Sequence, residues 1–161
     1  MSSPSVPVGS ICCGLSSRGD GTFHWTLLFP IDGTTAIKLH ATNLQGPWKF
    51  EKTYQTLETS ASATICVIVK IGEMPIDIFD GMCELLGAIP MEIPAVFKDS
   101  EKRFSCRVWV KEAWRVMDAN NFIKCSDVVA LEREMWDLGK EHDPLTITGA
   151  PFKFHTAQSS Y

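Results

Sequence analysis

The stretch from Phe23 to Thr42, FHWTLLFPIDGTTAIKLHAT, constrains the fold of this chain more than any other. Two runs rich in β-branched and aromatic residues, Phe23 to Pro30 and Thr34 to Thr42, flank Ile31-Asp32-Gly33 and predict an antiparallel hairpin. Gly33 at the third place of a three-residue loop suits a type I turn closed by a left-handed residue with a bulge, and Asp32 is tolerated just before it. That loop pairs Phe29 with Thr35, Thr26 with Lys38 and His24 with His40, so the two histidines stand side by side on one face. A two-residue loop at Asp32-Gly33 would put them on opposite faces, because strand side chains alternate with period 2.

Other segments read in the same way. The Ile11-Cys12-Cys13 run adds a first strand, Trp48 to Tyr54 alternates large apolar and polar residues, and Ala63 to Ile71 is a β-branched run suited to a central strand. Leu57 to Ser62 between the last two is a Ser/Thr-rich connection. Pro75-Ile76-Asp77 starts a helix to about Leu86, with Phe79, Met82 and Leu86 on one face and Gly87 as its stop. Pro90 and Pro94 forbid a regular element in the next segment. From Ser105, which can cap, Trp109, Val110, Ala113, Trp114, Val116 and Met117 form the buried side of a helix that Asn120-Asn121 ends. Ser126-Asp127 opens another through Leu138, with Val128, Leu131, Met135 and Leu138 inward and Gly139 as the stop. Leu145 to Ile147 and Phe152 to Phe154 are short apolar stretches suited to closing the sheet. The expected architecture is α+β, an antiparallel sheet packed against helices in a single domain over 1–161, with 1–9 mobile and 156–161 a tail.

At 161 residues, with 45% hydrophobic and 21% charged, the chain is long enough for one real core. A net charge of −4 and scattered Lys98, Lys102, Arg103 and Arg107 argue against phosphate-driven nucleic-acid binding. No signal-peptide pattern opens the sequence, and the apolar run from Ile65 to Ile71 is broken by Lys70 and too short to span a bilayer. A cytoplasmic protein is expected, with no integral membrane contact and with its six cysteines as free thiols. No Cys-x-x-Cys pair, no histidines at i, i+3 or i+4 and no Gly-rich phosphate loop occur, so neither metal nor cofactor is expected.

The chemistry centres on Cys106. A cysteine is a nucleophile as thiolate, and one in the first turn of a helix gains from the free N–H groups and partial positive charge there. His24 is then the candidate base, His40 the group that orients it, and the backbone N–H of Cys106 a candidate oxyanion donor. Trp25, Arg107 and Trp109 are the candidate substrate contacts, Arg107 through an anionic group. Against this stands the commoner fate of a free cysteine, which is burial as a small hydrophobe. Trp109, Trp114 and Trp136 also have the spacing of core anchors, and His142 and His155 carry no assignment.

The order His-Trp in one strand, histidine in the next, then cysteine opening a helix resembles the circularly permuted branch of the papain-like thiol superfamily, in particular the lecithin:retinol acyltransferase-like and phospholipase/acyltransferase proteins. Phe23 to Thr42 and SCRVWVKEAWRVMDANNFI (Ser105 to Ile123) carry the resemblance. His-Trp, a Lys-Leu-polar second strand and Cys-Arg-x-Trp also look like a family of small fungal proteins, some sited among natural-product genes. Ser105 departs from the asparagine usual before that cysteine, and there is no C-terminal membrane helix. The resemblance implies a permuted papain-like fold and a cysteine-dependent hydrolase or acyltransferase acting on an amide, ester or thioester of a small molecule, with Cys106, His24 and His40 as nucleophile, base and second polar residue. The rival expectation is a small-molecule-binding cyclase or isomerase that uses acid/base residues without a covalent thiol intermediate. A small-molecule substrate is the expected partner in either case, and a homodimer stays open.

Overall fold

The computed structural model of the chain describes residues 5–57 and 64–161. The Leu57 to Ser62 connection beyond Leu57, and 1–4 of the segment expected to be mobile, lie outside the described residues. Six strands, β1 (Ser10–Ser17), β2 (Phe23–Pro30), β3 (Thr35–Thr42), β4 (Lys49–Thr56), β5 (Ile65–Glu73) and β6 (Lys153–Thr156), form one sheet in the order β4-β3-β2-β1-β5-β6. All neighbours are antiparallel except β5 and β6. Three helices, α1 (Phe79–Gly87), α2 (Cys106–Ala119) and α3 (Val128–Ile147), complete an α+β architecture.

The β2–β3 hairpin forms, but not through the expected three-residue loop. Phe29 pairs with Ile37 and Leu28 with Lys38, so the register is displaced by two residues and Ile31 to Thr34 make a four-residue connection. The cause is Asp32: its Oδ1 accepts the backbone N–H groups of Thr34 and Thr35, each at 2.8 Å, while Ile31 N–H donates to Thr35 O at 3.0 Å. Such an Asx turn wraps the chain around a side chain, and Gly33 needs no left-handed conformation. A displacement of two keeps every side chain on its face. His24 and His40 therefore share a face as diagonal neighbours and not as the direct pair.

That parity sorts the sheet into two layers. Phe23, Trp25, Leu27 and Phe29 of β2 join Leu39 and Ala41 of β3, alternate residues of β1 and β5, and the buried faces of the helices in the main core. Residues of the opposite parity, among them Cys12, Leu28, Ala36, Ile65 and Ile68, pack with Val6, Leu57 and Phe152 on the second face. α1 buries Phe79, Met82 and Leu86, and α2 buries Trp109, Val110, Ala113, Trp114 and Met117, as their periodicities require. α2 crosses β2 and β3, whereas α3 lies along β5 and β1.

Two expectations about the C-terminal third are corrected. Gly139 does not stop α3, which continues through Leu145 to Ile147, expected as strand, because its inward stripe extends to His142, Asp143 and Thr146. The closing residues are not a free tail. Lys124 and Tyr161 exchange two backbone hydrogen bonds, Ser160 Oγ donates to Ile71 O at 2.7 Å, and the Glu134 carboxylate accepts the N–H groups of Gln158 and Ser159. His142 and His155, which carry no assignment in the sequence, meet Nε2 to Nε2 at 2.9 Å and join α3 to β6.

Gly139 is there for close approach: a Cβ at that position would stand 2.9 Å from Leu15 Cδ1 and 3.0 Å from Phe23 Cε2. Gly139→Ala is expected to lower stability by about 1–3 kcal/mol through overpacking, read as a lower denaturant midpoint at unchanged slope. A glycine that merely occupied a helix interior would give the opposite sign, a gain of about 1 kcal/mol.

Candidate active site

Cys106 is the first residue of α2, held there by Ser105, whose extended backbone and side-chain acceptance of Val108 N–H at 3.3 Å make it the N-cap. Its side chain belongs to the main core and is 2% exposed. Two donors address the sulfur: the backbone N–H of Trp25 at 3.5 Å and the guanidinium of Arg18, Nη2 at 3.6 Å. Sulfur lies on the floor of a cleft of about 420 Å³ lined by Arg18, Phe23, Trp25, Lys102, Arg103 and Trp136, with Ser105 and Arg107 beside it.

His24 does not reach that sulfur. Since Phe23 and Trp25 point toward the helix layer, the intervening His24 side chain points the other way, and that of His40, between Leu39 and Ala41, does likewise. No hydrogen bond joins the Cys106 sulfur to either histidine; the sulfur accepts from Trp25 N–H and Arg18, while His24 bonds His40. The bond from Trp25 N–H places the sulfur beside β2, where the pairing of β2 with β3 has ended at Leu27 and Leu39.

On the second face the histidines form their own chain. His24 Nε2 stands 2.7 Å from His40 Nδ1, and His40 Nε2 stands 2.9 Å from Glu51 Oε1, its direct partner across β3 and β4. An ionised carboxylate only accepts, so His40 Nε2 carries the proton, its Nδ1 accepts from His24 Nε2–H, and the lone pair of neutral His24 is left on Nδ1. Burial pushes His24 down to about 4, helped by the positive charges of His40, Arg18 and Lys38. Burial also lowers His40, outweighing the Glu51 hydrogen bond that raises it, while that same bond holds Glu51 below the usual carboxylate range. The chain is a tautomer-fixing relay. A proton arriving at His24 Nδ1 can release the Nε2 proton to His40, where the charge rests beside Glu51.

The substrate contacts expected from sequence are placed as follows. Trp25 gives the cleft one edge of a ring otherwise packed against Trp114 and Trp136. Trp109 is fully buried, against Phe50, and is a core residue. Arg107 lines the cleft but is already engaged: Nη1 and Nη2 donate to Glu101 at 2.7 and 2.6 Å, and Nη1 also donates to Glu132. Lys111 Nζ bridges the same two carboxylates at 2.8 and 3.2 Å with its side chain 3% exposed. Burial alone would raise the Glu101 carboxyl, but Arg107 and Lys111 hold it below its ordinary value. Two carboxylates and two cations balance, which is the condition under which buried charge is tolerated.

Arg18, Glu51, Glu101 and Lys111 were not singled out from the sequence. Only Lys111 left a signal, a charge inside the apolar stripe of α2. All six cysteines are free, and among the described residues no three His, Cys, Asp or Glu side chains gather as a metal site. No described helix is long and apolar enough to cross a membrane. A six-stranded α+β protein with a buried thiol beneath a cleft is the class these features define. No family model, curated protein or solved structure matches the chain.

The relay gives folding a pH dependence of definite sign. Because the folded-state value of His24 lies below the ordinary histidine value of about 6.5, the unfolded chain binds more protons between the two. Stability is complete above about pH 6.5 and is lost as pH falls toward 4. The expected loss attributable to His24 is roughly 1–3 kcal/mol. Denaturation of His24→Gln at pH 7 and pH 5 should show a smaller pH effect than the parent, and an equal effect would refute the assignment.

Proposed function

We propose that this chain is a cysteine-dependent acyl-group enzyme, hydrolase or transferase, in which Cys106 works without a histidine partner and therefore takes activated acyl donors. The observation that carries the reading is the Cys106 sulfur at the cleft floor, between Trp25 N–H and the Arg18 guanidinium, at the head of a capped helix. Both donors are of the kind that a sulfur anion accepts, and a helix start adds its own positive potential. The permuted papain-like fold remains part of this proposal, supported by a cysteine-headed helix packed on an antiparallel sheet.

In the first half-reaction Sγ adds to the donor carbonyl carbon, and the oxygen takes the electron pair. Val108 N–H is used by Ser105 Oγ and Trp109 N–H by Ser105 O, so the N–H groups of Cys106 and Arg107 are the ones left at the helix start to receive that oxygen. Collapse restores the carbonyl, breaks the bond to the leaving group and leaves an acyl-cysteine. Water or an acceptor nucleophile then adds to the same carbonyl, the sulfur leaves with the electron pair of the broken C–S bond, and the proton of the incoming nucleophile passes to the departing sulfur or to solvent. An amide would need its leaving nitrogen protonated, and the cleft lining contains no histidine and only one carboxylate, Glu101, which is held in ion pairs. A thiolate or an acidic alkoxide leaves unassisted. The donor class narrows to thioesters and activated esters.

A second reading draws on the Glu51–His40–His24 relay: a cyclase or isomerase that moves protons at His24 Nδ1 and forms no thiol adduct. One experiment separates the two. After incubation with a simple S-acyl thioester, intact-mass analysis and peptide mapping should find the acyl group on Cys106 in the parent and in His24→Asn, and on no residue in Cys106→Ala. Arg18→Ala should slow acylation by at least about tenfold, the effect of losing one charge-assisted hydrogen bond. Absence of an adduct, together with Cys106 alkylation no faster than that of the half-buried Cys83, would overturn the thiol reading.

A further inference from the structure

The Cys106 cleft has a charge inventory unlike that of the chain around it. The protein carries a net charge of −4, yet the lining brings together Arg18, Lys102, Arg103 and Arg107 against a single carboxylate, Glu101. That carboxylate is taken up inside the wall: Glu101 and Glu132 are balanced by Arg107 and Lys111. Arg18, Lys102 and Arg103 have no carboxylate partner among the described residues, and all three are exposed toward solvent. Like charges gathered in a half-enclosed space raise one another's energy, and low-dielectric walls strengthen the field between them. An anion relieves that repulsion.

The hydroxyl-bearing Thr22, Ser100 and Ser105 share the lining and can complete the hydrogen bonding of a group with several acceptor oxygens. A carboxylate offers two oxygens and one charge, and one guanidinium satisfies it. Three cations with added hydroxyls suit a phosphate, with its larger charge and greater number of acceptors.

We propose that the donor taken by this cleft is an acyl thioester or activated ester bearing a phosphate group, with Lys102 and Arg103 holding the phosphate at the rim and Arg18 standing between it and the Cys106 sulfur. The proposal rests on the thiol reading above, since it names the substrate class of the same site. It assigns a specificity role to two residues on the loop that leads into α2. The Glu101 ion pairs hold that loop against α2, so Lys102 and Arg103 project from a fixed base.

Inorganic pyrophosphate is a suitable probe, with binding followed by calorimetry and by protection of Cys106 from iodoacetamide. The full chain should bind it at one site, bound probe should slow Cys106 alkylation, and Lys102→Ala/Arg103→Ala, checked for folding by circular dichroism, should weaken binding by at least about tenfold. Binding should also weaken with added salt. Repeating the calorimetry on Cys106→Ala separates this proposal from the reaction chemistry: pyrophosphate binding there, with the same dependence on Lys102 and Arg103, supports the anion site whatever the fate of the acyl-enzyme. An acyl-enzyme without pyrophosphate binding would overturn the phosphate proposal alone. So would binding unchanged in the double variant, or succinate binding as tightly as pyrophosphate.

Discussion

Alternation along β2 governs where chemistry can occur in this molecule. The sheet is covered on both faces, with β1 at its centre buried from Ser10 through Leu15, so each side chain of β2 is committed to one layer or the other. Trp25 is committed to the helix layer by its contacts with Trp114 and Trp136. Once Trp25 faces the helices, His24 must face away, and moving it to the thiol's side would bring Trp25 and Phe23 out of the core. Loss of two large aromatic residues from a core costs several kcal/mol, far more than one hydrogen bond to sulfur returns. The direction of the His24 side chain is therefore set by packing and not by any preference of the histidine.

The wall of the cleft depends on a different physical device. Glu101, Glu132, Arg107 and Lys111 form a nearly enclosed, charge-balanced cluster that ties the approach loop to α2 and α3. A cluster of this kind contributes little net stability compared with apolar packing, but removing one member leaves an uncompensated buried charge. Its effect is positional. It fixes the segment that ends at Ser105, and Ser105 fixes the first turn of α2 that carries Cys106.

Much of this architecture was legible in the residues because the signals were local. The helix faces of α1 and α2, the Ser105 cap and the strand from Ile65 follow from periodicity and capping alone. Errors arose where a local signal met a tertiary one. Gly139 has the composition of a helix stop, yet it serves the approach of α3 to Leu15 and Phe23, a need visible only once β1 and β2 are in place. Gly33 has the composition of a left-handed turn residue, but the Asp32 carboxylate captured two backbone N–H groups and lengthened the connection. The shared face of His24 and His40 survives the register shift because a displacement of two residues preserves parity. Glu51 and Arg18 were invisible for a related reason, since Glu51 acts through His40, 11 residues away across a strand pairing, and Arg18 through Cys106, 88 residues away.

The two arrangements divide between them the parts that a thiol enzyme usually keeps together. A carboxylate–imidazole–imidazole chain fixes a tautomer and can carry a proton, while the thiol is addressed by a guanidinium and a backbone N–H and by no imidazole. An imidazole beside a thiol serves two ends, ionising the sulfur and protonating the departing group. Arg18 can assist the first through charge, but a guanidinium does not release a proton at physiological pH. Under the proposed reaction, a site with that composition suits a leaving group that departs as an anion, and its positive charge suits an anionic donor. In that proposal donor activation and donor charge share one physical origin, a permanently charged group standing where a proton-transferring one would be.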